Sequence, residues 1–543
     1  MIKNIKNLNK ETLHADLCIV GSGPASLSML YALKNKNLKI ILIPGGSIYK
    51  NNQNQNLYKG KIEKKSFHEP LHLNRHREFG GSGNYWGGRC VPLDKIDLKK
   101  RKWIKNSGWP IDFYDLEKYY NKASNFLEIS KFNSNYNFNY RKIKKIIPQL
   151  DDGYINSNKL EAWSSILNFK KKFKNILSRE NIIYIDNSHL LKIVANKKKV
   201  QNLICGSLNI KFKVKCKNYV LACGGIENAR ILLNSKNLSN PNGVGNSNDL
   251  VGRYYMSHHS GIFFNFSPFD RKKLNYNYFK NKKGSYFRNR WWLNENFQKI
   301  NKIGNSIFFL TYTKNKKDMG TEGEFFYLIN LIKNLKKNGI RKLFNNKKNL
   351  FLLIIKIFYF FPRIISLIYL RLQKKRLPSI LPSISTKYFG IYHQIEQTPC
   401  HESRIRLIGI KDKLGLNKVK LILRFNKIDL KTLYLSYKYF LSSLKTKKLG
   451  LLKGNFNFSI IEKNYLRKLK KFNSNAHHLG TTRMGFSKKN GVVDKNLKVF
   501  GLENLFIAGS STFPTGGHAN PTYTIIALSL RLSEFLIKKF KKI

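Results

Sequence analysis

The sequence predicts a mixed α/β fold, α+β over the whole chain, with two domains that share one core. The chain has 543 residues, more than one ordinary domain, and 42% of them are hydrophobic. A short apolar run, DLCIV at 16–20, is followed by the turn GSGPAS at 21–26 and by SLSMLYALKN, which has helical spacing. Near the other end, a predicted strand at Leu505–Ala508 precedes a Gly-Ser turn and a helix from about Pro521.

An imidazole and a carboxamide stand close to this last helix. His477 lies in the stretch NAHHLGTTRMG, and Asn520 follows 43 residues later in GGHANPTYT. A histidine can accept a hydroxyl proton while an amide orients the same oxygen, so the pair suits removal of a hydride from an alcohol. The helix N-terminus after Asn520 favours anionic or electron-rich groups. For the isolated segment, a buried structural histidine is an equally good interpretation.

The turn GSGPAS has the spacing of a dinucleotide-binding turn. Gly21 and Gly23 allow a pyrophosphate to approach the backbone N–H groups at the helix N-terminus. Ser26 replaces the third glycine and is small enough for the helix to pack on the strand. The second strand, LKIILIPGG, has Ile43 and Pro44 where an acid usually binds the adenosine ribose. We therefore expect backbone groups or another residue to hold the ribose.

The chain is strongly basic, with 100 Lys+Arg against 31 Asp+Glu and a formal net charge of +69. Such a charge indicates a nucleic-acid or anionic-membrane partner. The favoured alternative is mutational bias, because the chain is rich in residues of AT-rich codons and its lysines are scattered over every segment. The sequence contains no recognisable nucleic-acid-binding module, so no specific nucleic-acid partner is expected.

The cysteines and the N-terminus indicate a reduced, cytoplasmic setting. The six cysteines lie far apart, without a C-x-x-C pair or Cys/His metal spacing, so no metal site is expected. Cys18, Cys205 and Cys223 stand in apolar runs and are predicted to be inert core residues. The start, MIKNIKNLNKETLHAD, has neither an apolar segment nor a twin arginine, so no secretion signal is visible.

Residues 350–370, LFLLIIKIFYFFPRIISLIYL, are almost wholly apolar and precede the basic run RLQKKR. The length nearly suffices to cross a bilayer, but Lys356, Pro362 and Arg363 interrupt it. The basic flanks are typical of interfacial helices that lie peripherally on the inner face of a membrane. A buried helical part of the second domain is an equal alternative, and a true span is the least favoured of the three.

Three further stretches give the sequence a family resemblance. They are REFGGSGNYWGGRCVPLDKIDL (77–98) with SGWPIDFYDLEKYY (107–120), NYVLACGGIENARILLNS (218–235) with DLVGRYYMSHH (249–259), and the C-terminal stretch around His477 and Asn520. Together they resemble the glucose–methanol–choline (GMC) flavoprotein oxidoreductases. Within that family they look most like the bacterial branch near pyranose oxidases and the flavin subunit of gluconate dehydrogenases. The resemblance covers nearly the whole chain, in the family's order.

The resemblance implies a Rossmann-like FAD-binding domain of the glutathione-reductase type, with an inserted substrate domain on an antiparallel sheet. The FAD-binding domain is expected at 10–110, 185–260 and 470–543, and the substrate domain at 111–184 and 261–469, with the apolar excursion at 350–375. The stretch EQTPCHESRIRL (396–407) is similar to the family's substrate-domain strands, and the alternation of Ile405 and Leu407 agrees with a strand.

The resemblance also implies which residues hold FAD, and glycines suit this task because a flat ring must come close to the backbone. Pyranose oxidases attach FAD through a histidine where Tyr85 stands here, so non-covalent FAD is expected. The implied contacts are Gly21, Gly23, Gly509 and Ser510 at the pyrophosphate, Gly80, Gly81, Ser82 and Asn84 at the pyrophosphate and isoalloxazine, Leu190, Ala222, Gly224 and Glu227 at the adenine half, and Pro521 and Thr522 at the flavin pyrimidine.

His477 occupies the position of the family's base, and Asn520 that of its partner. The neighbouring His478 and His518 are expected to support the site or to lie at the surface. The resemblance therefore implies hydride transfer from a CH–OH group, of a sugar or glycosyl hydroxyl, to flavin N5 with His477 as base. A quinone or a redox protein is the expected electron acceptor, ahead of oxygen.

Two rival functions stay open. One is a redox-silent flavoprotein lyase in which FAD is only structural. The other is a degenerate, basic scaffold that binds a membrane or nucleic acid, allowed by the missing acid at Ile43. The presence of both His477 and Asn520 argues against degeneration.

Overall fold

The computed structural model describes residues 2–131, 144–280, 285–313, 386–454 and 476–541, with single residues and short pieces between 318 and 382. The strands within these residues are β1 (Ile2–Lys3), β2 (Thr12–Val20), β3 (Ile40–Ile43), β4 (Lys61–Ile62), β5 (Arg89–Cys90), β6 (Ile155–Asn156), β7 (Leu160–Trp163), β8 (Ile182–Ile185), β9 (His189–Ala195), β10 (Val200–Gly206), β11 (Lys211–Leu221), β12 (His258–Pro268), β13 (Phe279–Lys280), β14 (Tyr286–Asn289), β15 (Trp291–Leu293), β16 (Ser306–Tyr312), β17 (Phe389–Glu396), β18 (Arg404–Lys411), β19 (Asn417–Ile422), β20 (Gly450–Lys453) and β21 (Leu505–Ile507). The helices are α1 (Pro24–Ala32), α2 (Asn52–Asn56), α3 (Lys95–Leu98), α4 (Phe113–Phe126), α5 (Phe169–Phe173), α6 (Gly224–Asn234), α7 (Glu295–Asn301), α8 (Lys427–Thr446) and α9 (Pro521–Lys541).

An eight-stranded sheet in the order β1-β8-β3-β2-β11-β10-β9 forms the first layer, and β21 pairs with the end of β11. Within this sheet β1, β8, β3, β2, β11 and β21 run parallel, whereas β9, β10 and β11 form an antiparallel meander. The sequence of β11 explains its two roles. Its first part, KFKVKCK, alternates between exposed and buried side chains, and its last residues are all buried, as in a covered parallel sheet.

A six-stranded antiparallel sheet in the order β20-β12-β17-β16-β15-β6 forms the second layer. The helix α8 packs against β16, β17 and β20, and aromatic side chains fill the space between helix and sheet. Asn426 and Asp429 form a capping box at the start of α8, which explains where this helix begins. Two smaller sheets have the orders β13-β14-β7-β5 and β18-β19-β4.

The local elements predicted from sequence are confirmed. The run DLCIV lies in β2, the turn after it leads into α1, and α9 begins at Pro521. The strand β21 ends at Ile507, one residue before the predicted end, and Ile405 and Leu407 lie in β18. All six cysteines lie in the described part of the chain and are free. Cys18 and Cys205 are fully buried as predicted, whereas Cys223 is only partly buried and is not a core residue.

The strand pairings in the two large sheets differ from the domain boundaries expected from the sequence. Residues 182–185 form β8, which pairs with β3 in the first sheet, so the expected boundary at 184 falls inside a strand of that sheet. The helix α4, expected in the substrate domain, packs against α9. Conversely, β12 begins at His258 and pairs with β17, so residues 258–260 belong to the second sheet. Local resemblance did not reveal these pairings because each partner is distant in sequence.

Part of the apolar stretch at 350–370 lies outside the described residues. Its described positions are mostly helical, and they expose large apolar side chains, with Phe351 at 65%, Phe358 at 75% and Tyr359 at 68% exposure. Phe360 is buried and contacts Phe325. Among the described residues, no helix combines the length and the hydropathy that a membrane crossing requires.

Candidate active site

A cavity of about 430 Å³ lies along the carboxyl ends of the parallel strands in the first sheet. The turns after β2, β3, β11 and β21 contribute backbone to its wall through Gly21, Gly45, Cys223 and Gly509. Because parallel strands end at the same edge, four distant parts of the sequence meet there. This edge is the usual place of ligand binding in such sheets.

Two glycines of the first turn have different tasks. Gly21 has a φ of +105°, and a Cβ there would lie 2.4 Å from the carbonyl oxygen of Ala222. A Cβ on Gly23 would meet no described atom within 4 Å, so this residue keeps the wall of the cavity bare. The first turn of α1 starts at Pro24, and no side chain among the described residues caps it. Its N–H groups therefore fit an anion such as a pyrophosphate.

Most of the cofactor-binding residues predicted from sequence line this cavity. Gly80 and Asn84 are not part of the cavity wall, and Asn84 stabilises the loop through hydrogen bonds. Asn84 Nδ2 donates to Phe79 O at 2.8 Å, its Oδ1 accepts from Lys170 N at 2.8 Å, and a Cβ on Gly80 would lie 2.2 Å from that Oδ1. Those that line the cavity are Gly21, Gly23, Gly81, Ser82, Leu190, Ala222, Gly224, Glu227, Gly509, Ser510, Pro521 and Thr522.

A cluster of charges occupies the end of the cavity beside β3, where the expected acid is missing. Glu227 is buried, and its carboxylate oxygens lie 3.4 Å from Arg75 Nη1, 3.4 Å from Arg77 Nη1 and 3.2 Å from Arg230 Nη1. Burial alone would raise the pKa of Glu227, but the charges of the three guanidinium groups lower it. The Tyr58 ring lies 4.0 Å from the Arg75 guanidinium. Glu227 thus brings a carboxylate to this end from α6.

At the other end of the cavity, His477 contacts a second imidazole. His477 Nδ1 lies 2.7 Å from His258 Nδ1, and His258 Nε2 lies 2.9 Å from Gly517 O. Burial, with the charge of Arg89, lowers the pKa of His477 well below its ordinary value. Burial lowers the pKa of His258 to about 4. Both rings are therefore neutral near pH 7.

Asn520 is held by a glutamine from the second sheet. Gln394 Nε2 donates to Asn520 Oδ1 at 3.1 Å and to His518 O at 2.6 Å. Arg89 Nη1 donates to Gln394 Oε1 at 2.9 Å, and Arg89 is itself paired with Glu161 at 2.8 Å. A chain of hydrogen bonds therefore runs from a buried ion pair to the Asn520 amide.

The two neighbouring histidines have other surroundings. His478 also lines the cavity, its ring stacks on His68 at 6.0 Å, and its carbonyl accepts from Ser510 Oγ at 2.7 Å. His518 is buried, and its Nε2 lies 3.3 Å from Asp94 Oδ2. The geometry thus separates both from the pair formed by His477 and Asn520.

Sequence reasoning missed His258, Gln394 and Arg89. His258 stands in the stretch DLVGRYYMSHH, which carried part of the resemblance, and two adjacent histidines there were an available signal. Arg89 follows the loop GNYWGG, but its role depends on a strand about 300 residues later. Nothing in the local sequence of β17 marks Gln394.

Known proteins are similar to this chain in sequence and in fold. A family model described as GMC oxidoreductase, C-terminal, matches residues 399–529. The fructose dehydrogenase large subunit of Gluconobacter japonicus is 24% identical over 334 residues, which is 61% of this chain and 49% of that protein. The pyranose 2-oxidase of Lyophyllum shimeji is 38% identical over 65 residues, 12% of this chain and 10% of that protein. The matches thus span about half or less of these curated relatives.

A solved structure extends the likeness to nearly the whole chain. A formate oxidase of Aspergillus oryzae, studied for the modification of its FAD, aligns with a TM-score of 0.55 at 14% sequence identity. The alignment covers 98% of this chain and 99% of that one. At this identity the likeness concerns the fold, with its Rossmann-like layer and its second, antiparallel layer. Residues 399–529 thus match a GMC oxidoreductase C-terminal domain, and nearly the whole chain has the fold of the solved formate oxidase.

Proposed function

We propose that this chain is an FAD-dependent oxidoreductase that removes a hydride from the CH–OH group of an alcohol. The observation that carries the proposal is that His477 and Asn520 line the same cavity as the backbone turns at Gly21, Gly23 and Gly509. The similarity to a fructose dehydrogenase and a pyranose 2-oxidase supports a sugar or glycosyl hydroxyl as substrate.

The residues present fit FAD. The bare backbone at Gly23 and the N-terminus of α1 suit the pyrophosphate, and the carboxylate of Glu227, which lines the same cavity, can accept from ribose hydroxyls. The N-terminus of α9, at Pro521, suits the electron-rich pyrimidine edge of the flavin. When bound, FAD supplies the two-electron hydride acceptor. Tyr85 lines the cavity at the position where pyranose oxidases have the histidine that attaches FAD. We therefore propose that FAD binds non-covalently. This proposal is wrong if denatured, washed protein stays yellow.

In the proposed reaction, His477 accepts the hydroxyl proton while Asn520 holds the same oxygen. The O–H bond breaks and its proton goes to the imidazole. The C–H bond breaks with both of its electrons, which leave as hydride for the cofactor, and a carbonyl forms. The neutral state of His477 at pH 7, caused by its burial, keeps a lone pair available for this step.

Anaerobic mixing of the purified holoprotein with a panel of sugars and alcohols tests the proposal. Reduction bleaches the long-wavelength absorption of the flavin, and we expect at least one sugar to cause it. The proposal is wrong if dithionite bleaches the flavin while no member of the panel does. Consumption of a substrate without bleaching would instead favour the redox-silent lyase.

We also propose a quinone or a redox protein as the acceptor, a cytoplasmic setting, and a peripheral contact of residues 350–370 with the inner face of a membrane. The free cysteines support the setting, and the exposed side chain of Phe358 supports the contact. Co-sedimentation with phosphatidylglycerol vesicles, but not with phosphatidylcholine vesicles, is the expected result. Phe358→Asp should reduce it, whereas Phe269→Asp, at an exposed phenylalanine elsewhere, should not.

A further inference from the structure

Hydrogen bonds behind the cavity determine which nitrogen of His477 carries its hydrogen. The carbonyl oxygen of Gly517 can only accept, so His258 Nε2, 2.9 Å away, must donate to it. A neutral imidazole has one N–H, and His258 Nδ1 therefore has a lone pair. His477 Nδ1, 2.7 Å from that lone pair, must be the donor. Because His477 is neutral as well, its Nε2 is left with a lone pair.

The same reasoning orients the amide of Asn520. A guanidinium group has only donors, so the Gln394 atom 2.9 Å from Arg89 Nη1 must be the oxygen. The carbonyl of His518 requires the Gln394 nitrogen on the other side, at 2.6 Å. That nitrogen can bond Asn520 only through Oδ1, at 3.1 Å. The Asn520 amide therefore has its Nδ2 left to serve the cavity.

Both chains of hydrogen bonds start from neighbouring strands of the second sheet. His258 is the first residue of β12 and Gln394 lies in β17, where it pairs with Ser260, two residues after His258. The ion pair between Arg89 and Glu161 anchors the second chain in buried surroundings. Residues of the antiparallel sheet thus orient two side chains of the C-terminal stretch, His477 and Asn520.

We propose that His258 and Gln394 are positioning residues that give the site one acceptor, His477 Nε2, and one donor, Asn520 Nδ2. The inference rests on the proposed function for its chemical meaning. A neutral hydroxyl matches this arrangement because its O–H donates to the acceptor and its oxygen accepts from the donor. A carboxylate has no hydrogen for Nε2, and an ammonium group has no lone pair for Nδ2. The site therefore selects hydroxyl groups.

Two substitutions at His258 separate positioning from simple filling of space. His258→Asn places an oxygen near the former Nδ1 and keeps the acceptor for His477, whereas His258→Gln keeps the group near Gly517 and loses that acceptor. We expect His258→Asn to retain most of the anaerobic flavin-reduction rate and His258→Gln to lose about tenfold or more. If only volume matters, the larger glutamine should be tolerated better than asparagine, and that order would overturn the proposal.

Nuclear magnetic resonance of deuterated, ¹⁵N-histidine-labelled holoprotein reads the tautomer directly and needs no substrate. The His477 signals, identified by their loss in His477→Gln, should show a hydrogen on Nδ1 and a lone pair on Nε2 in the wild type. In His258→Gln the Nε2–H form should appear. A wild-type hydrogen on Nε2 would overturn the assignment, whatever the activity.

Gln394→Glu tests the second chain. A glutamate can still pair with Arg89, but it presents an acceptor to Asn520 Oδ1, and the amide should turn its oxygen toward the cavity. We expect KM for the hydroxyl substrate to rise and kcat to fall, with flavin content unchanged. Lowering the pH should restore part of the activity because a protonated carboxyl donates again. The matched control is Gln298→Glu, at a fully buried glutamine that bonds Leu293 O.

The outcomes separate this proposal from the proposed function. If no alcohol reduces the wild-type flavin but His477 carries its hydrogen on Nδ1, the polarity of the site stands and the reaction is wrong. If alcohols reduce the flavin and Gln394→Glu behaves like Gln298→Glu at every pH, the reaction stands and the positioning role of Gln394 is wrong.

Discussion

The two ends of the cavity are organised by different forces. At the end beside β3, three guanidinium groups surround the carboxylate of Glu227, and charge pairing holds the side chains in place. At the other end, His477 and Asn520 are neutral and are held by hydrogen bonds to His258 and Gln394. Charges suit the end that we propose to bind the polar nucleotide half of FAD. Neutral groups that keep a lone pair suit the end where we propose that a proton moves.

His477→Ala tests the neutral end, and we expect the greatest change there. Flavin reduction by a substrate should fall at least about 100-fold because the proton acceptor is gone. FAD should stay bound, since backbone turns form its proposed site. Anaerobic stopped-flow measurement and the flavin content check both points. His401→Ala, at an exposed histidine paired with Glu402, is the control, and normal reduction in His477→Ala would refute the assignment.

Glu227→Gln tests the charged end. Removing the carboxylate charge leaves Arg75 and Arg77 buried without their common partner, which should lower the free energy of unfolding by about 3 kcal/mol. FAD should also dissociate more readily, while the reduction rate of the remaining holoprotein should change little. Chemical denaturation and flavin release measure the two effects. Glu402→Gln, at an exposed carboxylate, should change neither, and an equal loss in both variants would contradict the role of Glu227.

Gly21→Ala and Gly23→Ala distinguish a glycine that the packing of the first turn requires from a glycine that keeps the cavity open. At Gly21 the added Cβ meets Ala222 O at 2.4 Å and the φ of +105° disfavours alanine, so stability should fall by about 1–3 kcal/mol. At Gly23 the Cβ points into open space, so the apoprotein should keep its stability and lose affinity for FAD. Thermal unfolding and FAD titration of the apoproteins distinguish the two. Equal melting temperatures for the two variants would count against the assigned tasks.

The pH dependence is the mildest effect that we expect. The base must be neutral, and burial lowers the pKa of His477, so the competent form persists as the pH falls through the ordinary histidine value of about 6.5. Flavin reduction should stay nearly constant between pH 8 and 6, by about twofold at most, and decline only in more acidic solution. Stopped-flow reduction across this range provides the measurement. An inflection of the reduction rate near the ordinary histidine pKa would show that burial does not lower the pKa of His477.

Most of the residues that the resemblance predicted to bind the cofactor line the cavity, because they belong to short, continuous motifs. Gly21 and Gly23 stand in the turn directly after β2, and Pro521 begins α9, so the local sequence indicates their positions. Asn84 belongs to such a motif as well, but its side chain turns toward Phe79 and Lys170, and a motif does not state side-chain direction. The domain boundary at 184 was misplaced since β8 joins a sheet whose other strands lie far away in sequence.

From its sequence alone, the protein's strand–turn–helix units, its glycine-lined turns and the identity of His477 and Asn520 can be read, since each depends on neighbours along the chain. The polarity of the site cannot be read in this way. His258 lies 219 residues before His477, and Gln394 lies 126 residues before Asn520. Which nitrogen keeps its lone pair depends on these contacts across two sheets. A hydrogen-bond direction is a property of both partners, and folding is what brings the partners together.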